Sequence, residues 1–180
     1  MRLYLETERL VLRELAESDV DLLVELDSDA AVMRFLTGGK PTAREEIRTR
    51  TLPALLAEYE RFPGTGRWAA LEKSTGEFVG WFALRVNEDV GPDEVELGYR
   101  LRQAKWGQGY ATEGSRALVA KAFTELGVRR VWATTMTVNI ASRRVMEKAG
   151  LTYVRTFHLP WPDPIEGTAE GDVEYHLTRT

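Results

Sequence analysis

The stretch KWGQGYATEG, from Lys105 to Gly114, places Gly107 and Gly109 directly before sequence that predicts a helix. A helix that begins after a strand presents unpaired backbone N–H groups and the positive end of its dipole, and these groups bind phosphates. Glycine lacks a Cβ, so the backbone at these two positions can approach an oxyanion closely. The stretch therefore fits two interpretations, an anion cradle or a tight strand-to-helix turn.

Six consecutive residues supply the backbone N–H groups of the candidate cradle: Gly107, Gln108, Gly109, Tyr110, Ala111 and Thr112. Two common phosphate loops are excluded. The string G-x-x-x-x-G-K-[ST] does not occur, and Thr112 stands where the fingerprint G-x-G-x-x-G requires its third glycine. A cradle at this turn is therefore a pyrophosphate loop of another kind.

The strands and helices around this turn follow from hydrophobic periodicity. EVELGYRLR, residues 94–102, alternates apolar and polar residues, which predicts a strand with Glu96 on its polar face. RRVWATTMTV, residues 129–138, is apolar or β-branched on both faces and predicts a central buried strand. A short helix is predicted from Asn139 to Ala149, and an earlier one from Thr42 to Phe62.

The complete order of predicted elements is β-α-α-β-β-β-α-β-α-β-β. It indicates an α/β (α+β) fold, with about seven strands in a mixed sheet and helices on its faces. The length of 180 residues suits one domain over residues 1–180.

Composition excludes several classes of site. The chain has no cysteine and only two histidines, so it offers no disulfide, no thiolate metal site and no cysteine nucleophile, and no metal is expected. A net charge of -4 gives no overall attraction for nucleic acid or an anionic membrane. The apolar run FVGWFAL, residues 78–84, is far shorter than the ~20 residues of a membrane span. With no signal-peptide pattern, the expected location is cytoplasmic.

The segment from Glu96 to Leu151 resembles the acyl-CoA-binding half of the GCN5-related N-acetyltransferase (GNAT) superfamily. Three signatures carry the resemblance: WGQGYATE, the N-x-x-S pattern from Asn139 to Ser142, and EKAGL at its end. The opening ETERLVLREL also resembles the first strand of the branch that includes ribosomal-protein alanine N-acetyltransferases.

This resemblance implies a mostly antiparallel sheet splayed open between the strand ending near Arg102 and the strand ending near Val138. Acetyl-CoA is then the cosubstrate. Its pantetheine arm is expected in the gap, bonded to backbone at Leu101 and Arg102, with its pyrophosphate on residues 108–112. The family usually has Gln or Arg three residues before Gly107, where this chain has Ala104, so binding is expected to rest on backbone N–H groups.

Acetyl transfer to an amine is helped by a base at the amine and an acid at the sulfur. Glu96 aligns with a strand in which some family members carry a catalytic glutamate, although the position also suits a solvated strand face. Many relatives have a tyrosine seven residues after the asparagine, where this chain has Met146. Ser142 is therefore the candidate partner of the sulfur, unless it bonds its own backbone. Asn139 either bonds the pantetheine or caps the helix.

With no cysteine to carry an acetyl group, direct transfer in a ternary complex is expected. The acceptor is expected to be a primary amine, either a protein N-terminus or a small amine. The resemblance places it between the two N-terminal helices and the last hairpin, where Phe35 and Trp161 are candidate contacts, although each also suits core packing.

Dimers are common among similar proteins, so a homodimer is an expected assembly. Two alternatives remain open at this point. One is a non-catalytic acyl-CoA-binding sensor or scaffold on the same fold, suggested by the missing tyrosine. The other is a nucleotide-binding phosphotransferase, which would bind ATP with magnesium.

Overall fold

The computed structural model describes residues 2–179, within which eight strands form one sheet in the order β1-β2-β3-β4-β5-β6-β8-β7. The strands are β1 Leu3–Glu6, β2 Leu10–Glu14, β3 Gly66–Glu72, β4 Phe78–Val86, β5 Glu94–Leu101, β6 Arg130–Met136, β7 Thr152–Phe157 and β8 Asp172–Thr178. Neighbouring strands are antiparallel except β5 and β6, which are parallel. The predicted mixed sheet is confirmed. It has one strand more than expected, because the N-terminal segment forms the β1–β2 hairpin rather than a single strand.

Six helices accompany the sheet within the described residues: α1 Val20–Ser28, α2 Ala30–Thr37, α3 Arg44–Glu46, α4 Leu52–Arg61, α5 Tyr110–Thr124 and α6 Ile140–Lys148. The helix predicted from Thr42 to Phe62 is divided, because a π-helical turn over Ile47–Thr51 separates α3 from α4. Pro53 is the second residue of α4, which directly follows the π-helical turn, and it has no N–H to donate to that turn. Thr42 does not cap a helix, and its hydroxyl donates to the Asp27 carboxylate at 3.2 Å. None of the helices in residues 2–179 has the length and apolar character needed to cross a membrane.

The sheet carries a core on each face, and strand alternation separates them. Trp68 and Phe82 point to the face covered by α5 and α6. Ala69 and Trp81, one residue along in each case, point to the face covered by α1 and α4. The predicted placement of helices on both faces is therefore confirmed. We call these the α5 face and the α1 face.

Gly114 brings α5 close to the sheet. A Cβ at this position would lie 2.4 Å from the Phe82 ring, a distance that no folded side chain tolerates. The absence of a side chain lets the first turns of α5 lie directly against β4. This close approach holds the N-terminus of the helix beside the end of β5.

The sheet opens between β5 and β6. Their parallel pairing consists of three residue pairs and stops at Glu96 opposite Trp132. Beyond that point β5 continues to Leu101 and β6 to Met136 without further pairing between them. The predicted splay is confirmed, and we call the opening the gap.

Candidate functional site

The turn before α5 has the conformation that glycine favours. Gly107 and Gly109 have φ of 70° and 84°, in the left-handed region, and α5 begins directly after Gly109. A Cβ on Gly107 would meet no atom within 4 Å, so open space lies beside it. The left-handed backbone conformation favours glycine at both positions, and open space remains beside Gly107.

The amides of residues 107–112 have no acceptor within residues 2–179, either on the backbone or on a side chain. No side chain caps α5 at its N-terminus. Six N–H groups without acceptors and the positive end of the helix dipole therefore lie within one turn, an arrangement suited to binding phosphate groups. The Gln108 side chain does not join them, because its amide nitrogen donates to the Ala104 carbonyl at 2.8 Å.

Arg9 adds a positive charge to this turn. This contribution was not predicted from the sequence. Arg9 precedes β2, and its guanidinium donates to the Gln108 carbonyl at 2.9 Å. A Cβ on Gly109 would lie 3.3 Å from the same guanidinium. No local pattern could have shown this, because Arg9 and Gln108 are 99 residues apart in the chain.

Glu113 ties Arg9 to α5. Its carboxylate accepts from the Arg9 Nε at 2.7 Å, from the Arg9 amide at 2.8 Å and from the Thr7 hydroxyl at 2.6 Å. Burial acts to raise the pKa of Glu113, but these hydrogen bonds outweigh it and hold that pKa below its usual value. The ionised carboxylate thus holds the β1–β2 hairpin against the first turn of α5.

One wall of the gap is the free edge of β5. The Arg102 amide donates to the Val79 carbonyl at 2.9 Å, so these two residues form a hydrogen-bonded pair. Such pairs alternate along an antiparallel ladder. The backbone groups of Leu97, Tyr99 and Leu101 therefore point away from β4 and into the gap.

The two residues predicted to bond a pantetheine arm differ in placement. Leu101 turns its amide into the gap, while its carbonyl accepts from the Trp106 indole at 2.9 Å. The Arg102 amide donates to β4 and so points away from the gap, and the Arg102 guanidinium pairs with Glu25 at 2.7 Å. The structure therefore groups Leu101 with the gap and leaves Arg102 outside it.

Asn139 caps α6. Its side-chain oxygen accepts from the Ser142 amide at 3.3 Å, and its side-chain nitrogen donates to the Thr135 hydroxyl at 3.1 Å. Of the two interpretations left open for this side chain, the cap is the one whose contacts are present.

Ser142 and Tyr99 meet across the gap. The Tyr99 hydroxyl lies 2.9 Å from the Ser142 hydroxyl and donates to the Ser142 carbonyl, also at 2.9 Å. Burial raises the pKa of Tyr99, so this hydroxyl stays protonated at physiological pH. Met146, at the position of the usual tyrosine, is 1% exposed and packs in the core. The structure thus places a tyrosine hydroxyl beside Ser142 from β5, a contact that the alternation along residues 94–102 did not predict.

Glu96 lies where β5 and β6 stop pairing, on the α1 face. Its carboxylate accepts from the Arg85 guanidinium at 2.7 Å, and its side chain is 20% exposed. Burial raises the pKa of Glu96, against the opposing effect of Arg85. A partly buried carboxylate with a raised pKa, at the apex of an opening, is suited to accept a proton.

The predicted acceptor cleft is enclosed by two segments that contact each other. The Arg34 guanidinium in α2 pairs with Glu166, in the loop between β7 and β8, at 2.5 Å. Phe35 and Trp161 lie in these same segments, and both are half-buried. The Trp161 indole N–H is buried and lies near the Asp172 carboxylate. The structure therefore brings the two segments together at one end of the α1 face.

No group of three or more metal-ligating side chains occurs in the described part of the chain.

Comparisons with known proteins agree with this geometry. A family model described as acetyltransferase (GNAT) domain matches residues 9–152. FsC-acetyl coenzyme A-N(2)-transacetylase of Aspergillus fumigatus is 41% identical over 182 residues, which cover 97% of this chain and 76% of that protein.

Two solved structures are similar in fold. An acetyltransferase (GNAT family) from Bacillus anthracis has a TM-score of 0.79 at 23% identity, covering 99% of this chain and 98% of that one. RimL, described as a ribosomal L7/L12 alpha-N-protein acetyltransferase in complex with coenzyme A, has a TM-score of 0.81 at 20% identity, covering 98% of both chains.

Proposed function

Because this chain belongs to the acetyltransferase (GNAT) family of N-acetyltransferases, we propose that it moves the acetyl group of acetyl-CoA directly to a primary amine within a ternary complex. The observation that carries the proposal is the row of six unpartnered amides at residues 107–112, at the mouth of the gap. These amides bind the pyrophosphate of acetyl-CoA, and Arg9 adds charge beside them. The pantetheine arm follows the free edge of β5, where Leu97, Tyr99 and Leu101 offer backbone groups.

Glu96 is the proposed general base. A protonated amine cannot attack a thioester, so a carboxylate at the apex of the gap accepts a proton from the acceptor, directly or through a water. Burial raises the pKa of Glu96, which makes its carboxylate a stronger base than a surface glutamate. Its hydrogen bond to Arg85 fixes the carboxylate in place.

Tyr99 and Ser142 are proposed to act together at the departing sulfur. When the thioester C–S bond breaks, the electron pair moves to sulfur, and the resulting thiolate needs a hydrogen bond or a proton. The Ser142 hydroxyl supplies this hydrogen bond to sulfur. The Tyr99 hydroxyl, 2.9 Å from both oxygens of Ser142, then turns its single proton from the Ser142 carbonyl to the Ser142 hydroxyl oxygen. This pair replaces the tyrosine that many relatives carry where this chain has Met146, which favours an enzyme over a non-catalytic sensor.

The acceptor is proposed to enter on the α1 face. The name of the fungal relative states acetyl transfer to an N(2) atom of FsC, whereas the name of RimL states transfer to a protein N-terminus. Both are amine acceptors. The fungal relative is 41% identical to this chain over 182 residues, compared with 20% for RimL, so we favour a small-molecule amine over a protein N-terminus.

The test is release of free thiol from acetyl-CoA in the presence of small amines, amino acids and peptides with free N-termini. Turnover that depends on an amine is expected, with intersecting initial-rate lines when both substrates are varied. Parallel lines would contradict direct transfer in a ternary complex. Tight CoA binding without turnover on any acceptor would favour the sensor.

A further inference from the structure

The Arg67 side chain projects from β3 onto the α1 face of the sheet. Its neighbours in the strand register are Ala83 on β4 and Gly98 on β5. Because these two neighbours are small, its long side chain can extend over the sheet towards β5. The guanidinium lies over the Trp81 ring, with its carbon 3.9 Å from the ring centroid. This cation–π contact uses none of the guanidinium N–H groups as hydrogen-bond donors to another side chain.

Other arginines on this face have carboxylate partners. Arg85 pairs with Glu96 at 2.7 Å, Arg100 with Asp27 at 2.5 Å, and Arg130 with Glu94 at 2.8 Å. Arg67 differs: within residues 2–179 it forms no ion pair and no side-chain hydrogen bond, and its Nε is shielded from solvent without an acceptor.

The surroundings of Arg67 oppose its positive charge. Burial, and then the guanidinium groups of Arg85 and Arg100, lower its pKa to about 10, and the nearby carboxylates of Glu58 and Asp27 offset this only in part. Arg67 is nevertheless protonated at neutral pH. Arg67 is half-buried, and only its Nε is shielded from solvent, so its terminal nitrogens remain available to an anion that would offset these unfavourable surroundings. The charge of Arg67 also acts on Glu96, whose pKa it lowers.

We propose that Arg67 binds a carboxylate of the acceptor, so that the preferred acceptors are small amines that also carry a carboxylate. The inference rests on the proposed function, because it assumes that the acceptor amine approaches Glu96 on this face. The free edge of a guanidinium matches a carboxylate in a two-point hydrogen-bonded pair. Arg67 then selects the acceptor and takes no part in the proton transfers.

The first experiment compares matched acceptors: L-amino acids and the corresponding L-amino-acid amides, each with acetyl-CoA. The two members of a pair share the side chain and the α-amino group and differ in the carboxylate. The amine of the amide is the less basic one, which by itself favours the amide, so a preference for the acid cannot come from amine basicity. For the parent enzyme we expect kcat/KM to favour at least one amino acid over its amide by tenfold or more, through a lower KM. Arg67→Met should abolish this preference, while the Kd for CoA stays within twofold.

The matched control is Arg129→Met. Arg129 is 76% exposed and pairs with Asp93 at the opposite end of β5 and β6 from the gap. The Arg129→Met variant loses one positive charge, as Arg67→Met does, and should keep the parent's preference for the amino acid over its amide. Equal use of acid and amide in every pair by the parent enzyme would overturn the inference.

The second experiment uses melting temperature and needs no turnover. Without ligand, Arg67→Met should melt at the same temperature as the parent or higher, because methionine keeps the contact with Trp81 and removes an unpaired, half-buried charge. A lower melting temperature would assign Arg67 a structural role and overturn the inference. With CoA present, at least one of the L-amino acids tested should raise the melting temperature of the parent but not of Arg67→Met, and its amide should raise neither.

Melting temperature and turnover together distinguish failure of the carboxylate site from failure of the proposed function. A carboxylate-dependent rise in melting temperature without turnover would sink the proposed function and leave the carboxylate site standing. Turnover with equal kcat/KM for the acid and the amide would support the proposed function and overturn the carboxylate site.

Discussion

Glu96 shows how neighbours set the chemistry of a single carboxyl group. Its burial raises the pKa, so the ionised form prevails only above a pH higher than that of a surface glutamate. A general base must be ionised, so kcat/KM should rise with pH through that pKa and fall as pH drops below it. Glu96→Gln should lower kcat/KM by roughly 10²–10⁴-fold and remove the acidic limb of the profile.

The control for this residue is Glu94→Gln, two residues earlier on the same face of β5 and paired with Arg130. It should keep the acidic limb of the parent enzyme. A Glu96→Gln profile that overlays the parent over the whole pH range would rule Glu96 out as the base.

Tyr99 carries the second prediction at this scale. Tyr99→Phe removes the hydroxyl beside Ser142 and keeps the ring in the core, so kcat should fall roughly 100-fold while the KM for acetyl-CoA changes little. Tyr153→Phe is the control, since Tyr153 is 53% exposed and its hydroxyl lies 2.9 Å from the Thr156 hydroxyl at the surface. Steady-state kinetics decide between the variants, and an unchanged kcat in Tyr99→Phe would remove it from the mechanism.

At the scale of elements, α5 offers a matched comparison at its two ends. Gly107 precedes it with φ of 70° and Gly127 follows it with φ of 68°, and a Cβ at either would meet nothing within 4 Å. Aspartate tolerates this backbone better than most residues. Gly107→Asp should therefore fold, yet raise the Kd for CoA at least tenfold by placing a negative charge among the phosphate-binding amides.

Gly127→Asp brings the same charge and the same backbone change to the far end of the helix, and should leave the Kd unchanged. Gly107→Asn, which is neutral, should lie between the two. Calorimetric titration with CoA measures all three. Equal Kd values for the two aspartate variants would place the phosphates elsewhere.

At the scale of the whole molecule, the gap divides the sheet and a ligand within it bridges the two parts. CoA at 100 times its Kd should stabilise the fold by about 2.7 kcal/mol. For a protein of this size that corresponds to a rise in melting temperature of roughly 5–10 °C. The rise should be the same with a metal chelator present. Stabilisation by magnesium and ATP but not by CoA would instead favour the phosphotransferase.

How much the sequence could predict depended on how local each feature is. The alternation along residues 94–102, the glycines before α5 and the helix after Asn139 are readable within a few residues, and each was predicted. The β1–β2 hairpin was missed, because its two strands were too short to give separate periodicities. Helix α2 was missed because only eight residues separate Asp29 from Gly38, both of which cap it.

The features of the site differ in the same way: some follow from local sequence and others from contacts between distant residues. By itself the sequence determined the family, the strands that flank the gap, and the glycines and helix start that leave amides free. Only the tertiary structure decided which side chains meet there: Arg9 at Gln108, Tyr99 at Ser142, and Arg67 without a partner. The reason is physical. Backbone conformation depends on neighbours along the chain, whereas the Tyr99–Ser142 bond joins residues 43 apart and depends on how a helix packs across an open sheet.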